Sequence, residues 1–240
     1  MKDTRKRDRA TRLPTDWDLV RKCLENGEVR TAFLHGDPSL GKTYAAYNFG
    51  RNRDEVYAIT LTEDTPAAEL RGHYVPVKGD LVWRDGPFTE AMRTGGRLVI
   101  NEVTHGPPEV MSLLYPVLES AETAQITLPT NETVRPAPGF QAICTDNNGP
   151  EDLTDALHDR FDCTFEITEP HPDAFLALPE DLRDPARRSF ALEKGRRVTI
   201  RRWLAISRLR QSVGLEDACR AVLGRSRGDQ IVDALKLGGA

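Results

Sequence analysis

The sequence is poor in cysteine: Cys23, Cys144, Cys163 and Cys219 are its four, with no CxxC pair and no histidine at zinc spacing. That argues against a metal or disulfide role and leaves buried free thiols in a reducing compartment as the expectation. The five histidines are equally dispersed. There is no long apolar run, so no segment spans a membrane as a helix, and the charged N-terminus carries no signal-peptide core. A cytoplasmic location is expected. There is no positive excess either. With 33 Lys and Arg against 37 Asp and Glu the formal net charge is -4, which argues against nucleic-acid binding by the chain as a whole. The N-terminal basic cluster KDTRKRDR reads as a solvated, frayed terminus. Internal repeats and low-complexity tracts are also missing. The 240 residues, 39% hydrophobic and 29% charged, describe an ordinary soluble globular protein with one sizeable core and room for a small second domain.

Short β-rich runs alternate with helical segments, the pattern of a parallel sheet with crossover helices. Five strands are expected at Thr31 to His35, Val56 to Leu61, Leu98 to Ile100, Phe140 to Thr145 and Cys163 to Ile167. Helices are expected at Lys42 to Phe49, Phe88 to Arg93 and Pro108 to Ser120, the last opened by Pro107 and Pro108. Two hairpins are expected, Val75 to Trp83 around Lys78-Gly79-Asp80 and Gln125 to Arg135 around Thr130-Asn131. After Ile167 a proline-rich stretch leads into helical periodicity at Pro185 to Lys194, Ile200 to Ser212, Leu215 to Leu223 and Gln230 to Leu237. The expected organisation is an N-terminal segment, 1–28, an α/β core, 29–168, and an all-helical domain, 169–240.

The run GDPSLGKT, Gly36 to Thr43, matches GxxxxGK[ST] in full, with a strand before it and a helix after it. Glycines let the backbone wrap phosphate oxygens, and the helix start presents unpaired N–H groups with a favourable dipole. Candidate nucleotide-binding residues are therefore Gly36, Asp37, Pro38, Ser39, Leu40, Gly41, Lys42, Thr43 and Tyr44. Lys42 reaches the terminal phosphates of a nucleoside triphosphate, and the Thr43 hydroxyl binds the Mg2+ bridging them. The loop indicates a nucleoside triphosphate but leaves ATP or GTP open.

The second half of such a site is an apolar strand ending in an acidic pair, one carboxylate supporting Mg2+ and the next polarising the attacking water. Here RLVINEV ends in Asn101 and Glu102. Glu102 keeps the second role, while the Asn101 amide oxygen can still accept from a Mg2+-bound water. Weaker metal organisation and slower turnover are expected, not loss of ATP binding.

ELRGHYVP followed by WRDGPFTEAMRTGGRLVINE, then GPPEVMSLLYPVLE and DALHDRF, resemble the AAA+ ATPases of the MoxR/CbbQ type, the dynein-related AAA_5 group. The resemblance runs closely from Val29 to Ile167 and more loosely over the tail. It implies a P-loop NTPase fold with a parallel five-stranded sheet, two hairpin insertions and a C-terminal helical lid. It also implies that Asn147 is sensor 1, that Arg160 is an arginine finger reaching the neighbouring subunit's ATP, and that Arg201 is the sensor 2 arginine, with Arg202 as the nearby alternative. The first hairpin matches the insertion in the clade's second helix and the second its pre-sensor-1 hairpin. Val103-Thr104-His105-Gly106 departs from the Asn-Arg common in the subgroup.

The resemblance implies an ATP- and Mg2+-dependent hexameric ring acting on a partner protein, in this family often one with a von Willebrand factor A domain. Two other readings stand beside it. Asn101 suits an ATP-binding scaffold or switch with little hydrolysis, and the helix-2 insertion is shared with McrB-like nucleic-acid motors, against which the acidic balance counts.

Overall fold

A computed structural model describes residues 15–192 and 194–237; the basic N-terminal cluster lies outside them. The chain divides into two compact units, one of residues up to Asp37 together with Lys42–Thr168, the other of Pro38–Gly41 together with Glu169 onward.

The first unit runs α1 (Trp17–Glu25), β1 (Thr31–Gly36), α2 (Lys42–Asn48), β2 (Val56–Thr60), α3 (Ala67–Arg71), β3 (Gly72–Val77) and β4 (Asp80–Asp85). It continues with α4 (Pro87–Thr94), β5 (Arg97–Asn101), α5 (Pro108–Val117), β6 (Ile126–Thr127), β7 (Thr133–Val134), β8 (Gln141–Asp146), α6 (Asp155–His158) and β9 (Cys163–Ile167). The five expected strands form one sheet in the order β2-β5-β8-β1-β9, every pairing parallel. β5 and β8 are buried along their whole length, which explains why they read as near-continuous apolar runs and not as alternating ones. Phe33, Leu98, Ile100, Ala142 and Cys144 carry the sheet into a core with Phe88 and Met92 of α4 and Leu114 of α5.

α1 falls in the segment read only as N-terminal. Asp16 caps it by accepting from the Leu19 N–H at 2.9 Å, and Trp17, Val20 and Leu24 bury its apolar face, with Trp17 edge-on to Phe49 at 6.4 Å. An isolated nine-residue helix is marginal in water, so this packing forms it. The first hairpin pairs from Gly72↔Asp85 to Val77↔Asp80, longer than expected, and turns on Lys78 and Gly79, both at positive φ, 51° and 99°, as a two-residue hairpin loop requires. The second hairpin pairs only Ile126↔Val134 and Thr127↔Thr133, with Asn131 at φ 65° in its turn.

The second unit is helical: α7 (Pro172–Leu176), α8 (Glu180–Phe190), α9 (Ile200–Val213), α10 (Leu215–Leu223) and α11 (Arg225–Leu237). Two sequence expectations are corrected here. The stretch read as proline-rich connection holds α7, and α8 starts at Glu180 with Pro185 inside it, where Pro185 was expected to start it. Proline removes one intrahelical hydrogen bond, but Leu182, Ala186 and Ser189 form one buried stripe across Pro185, and that burial outweighs the lost bond. Trp203, fully buried, donates its indole N–H to Ser189 Oγ at 3.0 Å.

All four cysteines are free, but only Cys144 and Cys219 are buried. Cys23, on α1, and Cys163 are partly exposed, a correction to the expected burial of all four; Cys163 lies on the sheet-edge strand β9. No helix among the described residues is long and apolar enough to cross a membrane.

Candidate functional site

In a parallel sheet the residues that meet a ligand stand at the carboxyl ends of the strands. β1, β5 and β8 end at Gly36, Asn101 and Asp146, and β8 lies between the other two. Gly36 leaves β1 at φ 135°, and a Cβ there would meet the Ile167 carbonyl oxygen at 2.2 Å. Only glycine lets the chain turn here. Beyond it Ser39 and Gly41 also take positive φ, 65° and 106°.

Lys42, which opens α2, is 7% exposed. Its ammonium donates to the carbonyls of Gly36 at 2.7 Å and Asp37 at 2.8 Å and to Asn147 Oδ1 at 3.0 Å. Burial pushes it down to about 8, against the opposing charges of Glu102, Asp37 and Asp146. An ammonium this desolvated, ringed by neutral oxygens, is suited to an anionic ligand.

Thr43 donates its hydroxyl to Asn101 Oδ1 at 3.3 Å, and Thr145 donates to the same oxygen at 2.9 Å. Asn101 Nδ2 donates to the Ile59 carbonyl at 3.4 Å, which fixes which way the amide points. The donor set offered to a cation is thus one hydroxyl and one amide oxygen. No group of three or more His, Cys, Asp or Glu suited to a metal occurs among the described residues. That set fits Mg2+, which keeps several waters and is held largely by phosphates, and does not fit a dedicated protein metal centre.

Glu102 follows β5 in the left-handed region, φ 54° and ψ 49°, a conformation that costs a non-glycine residue about 1–2 kcal/mol. The strain is held from β8. Asp146, 2% exposed, accepts from the Thr104 N–H at 2.7 Å, the Thr104 hydroxyl at 2.9 Å and the Asn148 N–H at 2.8 Å. Asn147 Nδ2 donates to the Glu102 carboxylate at 3.0 and 3.2 Å. Asn147 therefore bridges Lys42 and Glu102. Sequence reasoning picked Asn147 out of CTDN and passed over Asp146, Thr104 and Thr145; the signal for Asp146 was a carboxylate at the end of a wholly buried strand.

The structure brings together Lys42, Thr43, Asn101, Glu102 and Asn147. Tyr44 is exposed, its ring edge-on to Phe49 at 6.2 Å. Arg160 is held elsewhere in the first unit, donating to Glu119 and to the Ala156 carbonyl, with its guanidinium 5.0 Å over the Tyr115 ring. Arg201 and Arg202 are exposed in the first turn of α9, within the second unit.

Residues 31–161 match the family described as AAA domain (dynein-related subfamily). Protein NorQ of Paracoccus denitrificans (strain Pd 1222) is 30% identical over 156 residues, covering 64% of this chain and 53% of NorQ. Denitrification regulatory protein NirQ of Pseudomonas aeruginosa is 27% identical over 125 residues, covering 52% of this chain and 48% of NirQ. Protein CbbQ of Hydrogenophilus thermoluteolus is 26% identical over 148 residues, covering 58% of this chain and 54% of CbbQ. The chain spans about half the length of each of these relatives.

Proposed function

The chain belongs to the dynein-related subfamily of AAA domains, and from that premise we propose that it binds and hydrolyses ATP with Mg2+ and works as an oligomeric ring, a hexamer, on a partner protein. The observation that carries this reading is the bridge from Lys42 through Asn147 to the Glu102 carboxylate, with bonds of 3.0 Å on both sides. It sets a phosphate-seeking cation and a carboxylate base on either side of one amide. In the proposed reaction Lys42 and the backbone of Gly36–Thr43 hold the phosphates. Glu102 orients the attacking water and draws its proton, and Asn147 fixes the carboxylate's direction. Mg2+ would be held by Thr43 and Asn101 and would supply neutralisation of phosphate charge. Arg160 acts from the neighbouring subunit on charge developing at the transferred phosphoryl group, and Arg201, or Arg202 beside it, acts as the second sensor. The partner is a protein, with a von Willebrand factor A domain protein as the first candidate. The compartment proposed is the cytoplasm.

Asn101 sets the rate in this scheme. Groups in a metal's outer shell are typically worth 10- to 100-fold in affinity or activity. Asn101→Asp keeps the acceptor that Thr43 and Thr145 use and gives up only the 3.4 Å contact to Ile59. Turnover at saturating Mg2+ is expected to rise roughly tenfold, about 1.4 kcal/mol of barrier, read by phosphate release across a range of protein concentrations. An unchanged or lower rate would contradict this role for Asn101. The same amide favours a second reading, an ATP-binding scaffold with little hydrolysis. Tight ATP binding without turnover, restored by Asn101→Asp, would establish it, and Glu102-dependent turnover by the unaltered protein would dismiss it. A nucleic-acid motor is the third reading, with the net charge of -4 against it; salt-sensitive DNA binding is its test.

Lys42 supplies a pH test of nucleotide binding. Its folded value of about 8 lies below the ordinary 10.5. Triphosphate placed against the ammonium raises it again, so binding at about pH 9 must take up a proton. Calorimetric titration in two buffers of different ionisation enthalpy should show this uptake, and Lys42→Met should remove it. Buffer-independent heats at that pH would mean that Lys42 does not meet the phosphates.

A further inference from the structure

Arg160 has a partner in its own subunit that the proposed mechanism does not use. Its Nη2 donates to Glu119 Oε1, its Nη1 curls back to the Ala156 carbonyl one turn earlier, and its guanidinium lies over Tyr115. The Tyr115 hydroxyl is itself hydrogen-bonded to Thr154 at 2.8 Å, so the surface on which Arg160 rests is fixed. Arg160 and Glu119 line an open cleft together with Glu28, Arg30, Asp159 and Asp162. Apart from Arg160, four carboxylates and the Arg30 guanidinium give that cleft a formal charge of -3, which attracts the Arg160 head and repels phosphate. The Asp162 carboxylate is engaged by the backbone N–H groups of Arg30 and Thr31 at 2.8 and 2.9 Å, and the carboxylate to which Arg160 donates is that of Glu119. One donor, Nε, is buried with no partner among the described residues, so the resting position does not satisfy the guanidinium fully.

Resting on the proposed role of Arg160 as the group supplied to a neighbouring copy, we propose that Glu119 parks Arg160 on its own subunit, so that docking of a second copy of this chain must exchange the carboxylate for the neighbour's triphosphate. A triphosphate carries more charge than a carboxylate and accepts in the same forked geometry, so the exchange runs forward once a neighbour is present and not before. Glu119 is a positioning residue here. It raises the protein concentration at which turnover begins and leaves the assembled rate unchanged.

The pair is partly exposed, with side-chain exposures of 25% for Arg160 and 37% for Glu119. Such pairs contribute at most about 1 kcal/mol, roughly a fivefold change in a midpoint. The test is ATP turnover per subunit against protein concentration for the unaltered chain, Glu119→Gln and Arg160→Ala, with sedimentation velocity in ATP alongside. Glu119→Gln is expected to lower both the half-maximal concentration for turnover and the assembly midpoint about three- to fivefold, with the same plateau rate. Superimposable curves would overturn the proposal, and so would a fallen plateau, which would mean that Glu119 aims Arg160 instead of restraining it. Arg160→Ala with full turnover would remove the premise and the proposal with it, while leaving ATP hydrolysis by Glu102 intact. Should the chain bind ATP without turning it over, the sedimentation midpoint alone decides, since the exchange needs bound nucleotide and no hydrolysis.

Discussion

Glu102→Gln is expected to lower Mg2+-dependent ATP turnover by about 10²- to 10⁴-fold, the usual worth of a positioned general base, while the protein still binds ATP. The replacement is nearly isosteric and keeps an oxygen for the Asn147 Nδ2 donors that now reach Glu102 at 3.0 and 3.2 Å. The turn itself, held by Asp146 on Thr104, does not depend on the Glu102 charge. What is lost is the proton acceptor. One side effect has a definite sign. Glu102 is the largest of the charges that oppose the burial-driven fall at Lys42, so the amide lets the lysine fall further, and ATP affinity must be compared across a range of pH so that a lost proton on Lys42 is told apart from a lost contact. Phosphate release and fluorescent-nucleotide binding on the same samples separate the two effects. Turnover at the parent's rate would place the base elsewhere and sink the proposed mechanism; loss of binding in proportion to rate would show that the change reached the phosphate site and not the chemistry.

The residues of this site differ in how readily the sequence exposed them, and the reason is distance along the chain. Gly36 to Thr43 is legible because one contiguous loop does the binding and its dihedrals demand glycine at fixed places. The strands β5 and β8 are legible because burial on both faces leaves an unbroken apolar run. Asn101 and Glu102 follow from the end of such a run. Asp146 was not legible in its role, since its partner Thr104 is 42 residues away and nothing local in CTDN says that the aspartate braces a turn after another strand. α1 and α8 were obscured for a related cause. Nine residues from Trp17, or eleven with Pro185 among them, carry weak helical signals of their own, and the packing of Trp17, Val20 and Leu24, or of Leu182 and Ala186, decides the outcome. Arg160 was picked out by motif, but its resting partner Glu119, 41 residues earlier, was not.

Arg97 is the clearest case of a residue whose part only the fold reveals, and its replacement by methionine is expected to be the most destabilising of the changes considered. It opens β5, at the opposite end of the strand from Asn101, and is 0% exposed. Burial lowers it to about 10, with Arg51 lowering it further and Glu25 opposing, so it remains a cation at neutral pH. Its hydrogen-bond acceptors are neutral: Ala46 O at 3.0 Å, Phe49 O at 2.6 Å, Leu24 O at 2.7 Å and Gln141 Oε1 at 2.8 and 2.5 Å. The carbonyls stand at or just beyond the C-terminal ends of α1 and α2, where helix dipoles concentrate partial negative charge. The guanidinium thereby fastens the far end of the helix that begins at Lys42. Methionine refills most of the volume and regains the desolvation cost of a buried charge. Backbone carbonyls, however, cannot be exchanged for apolar groups, and Ala46 O, Phe49 O and Gln141 Oε1 lose their shared donor at about 1–3 kcal/mol each. Leu24 O keeps Gln141 Nε2 at 3.3 Å. The net expectation is a loss of roughly 3–5 kcal/mol, a fall in melting temperature on the order of 10 °C for a chain of this size, with Arg97→Lys falling between the two because one ammonium reaches fewer of these oxygens. Thermal unfolding followed by circular dichroism measures it. A melt within about 2 °C of the parent would mean that the relief of desolvation balances the orphaned carbonyls, and that the two helices are held by their packing without Arg97.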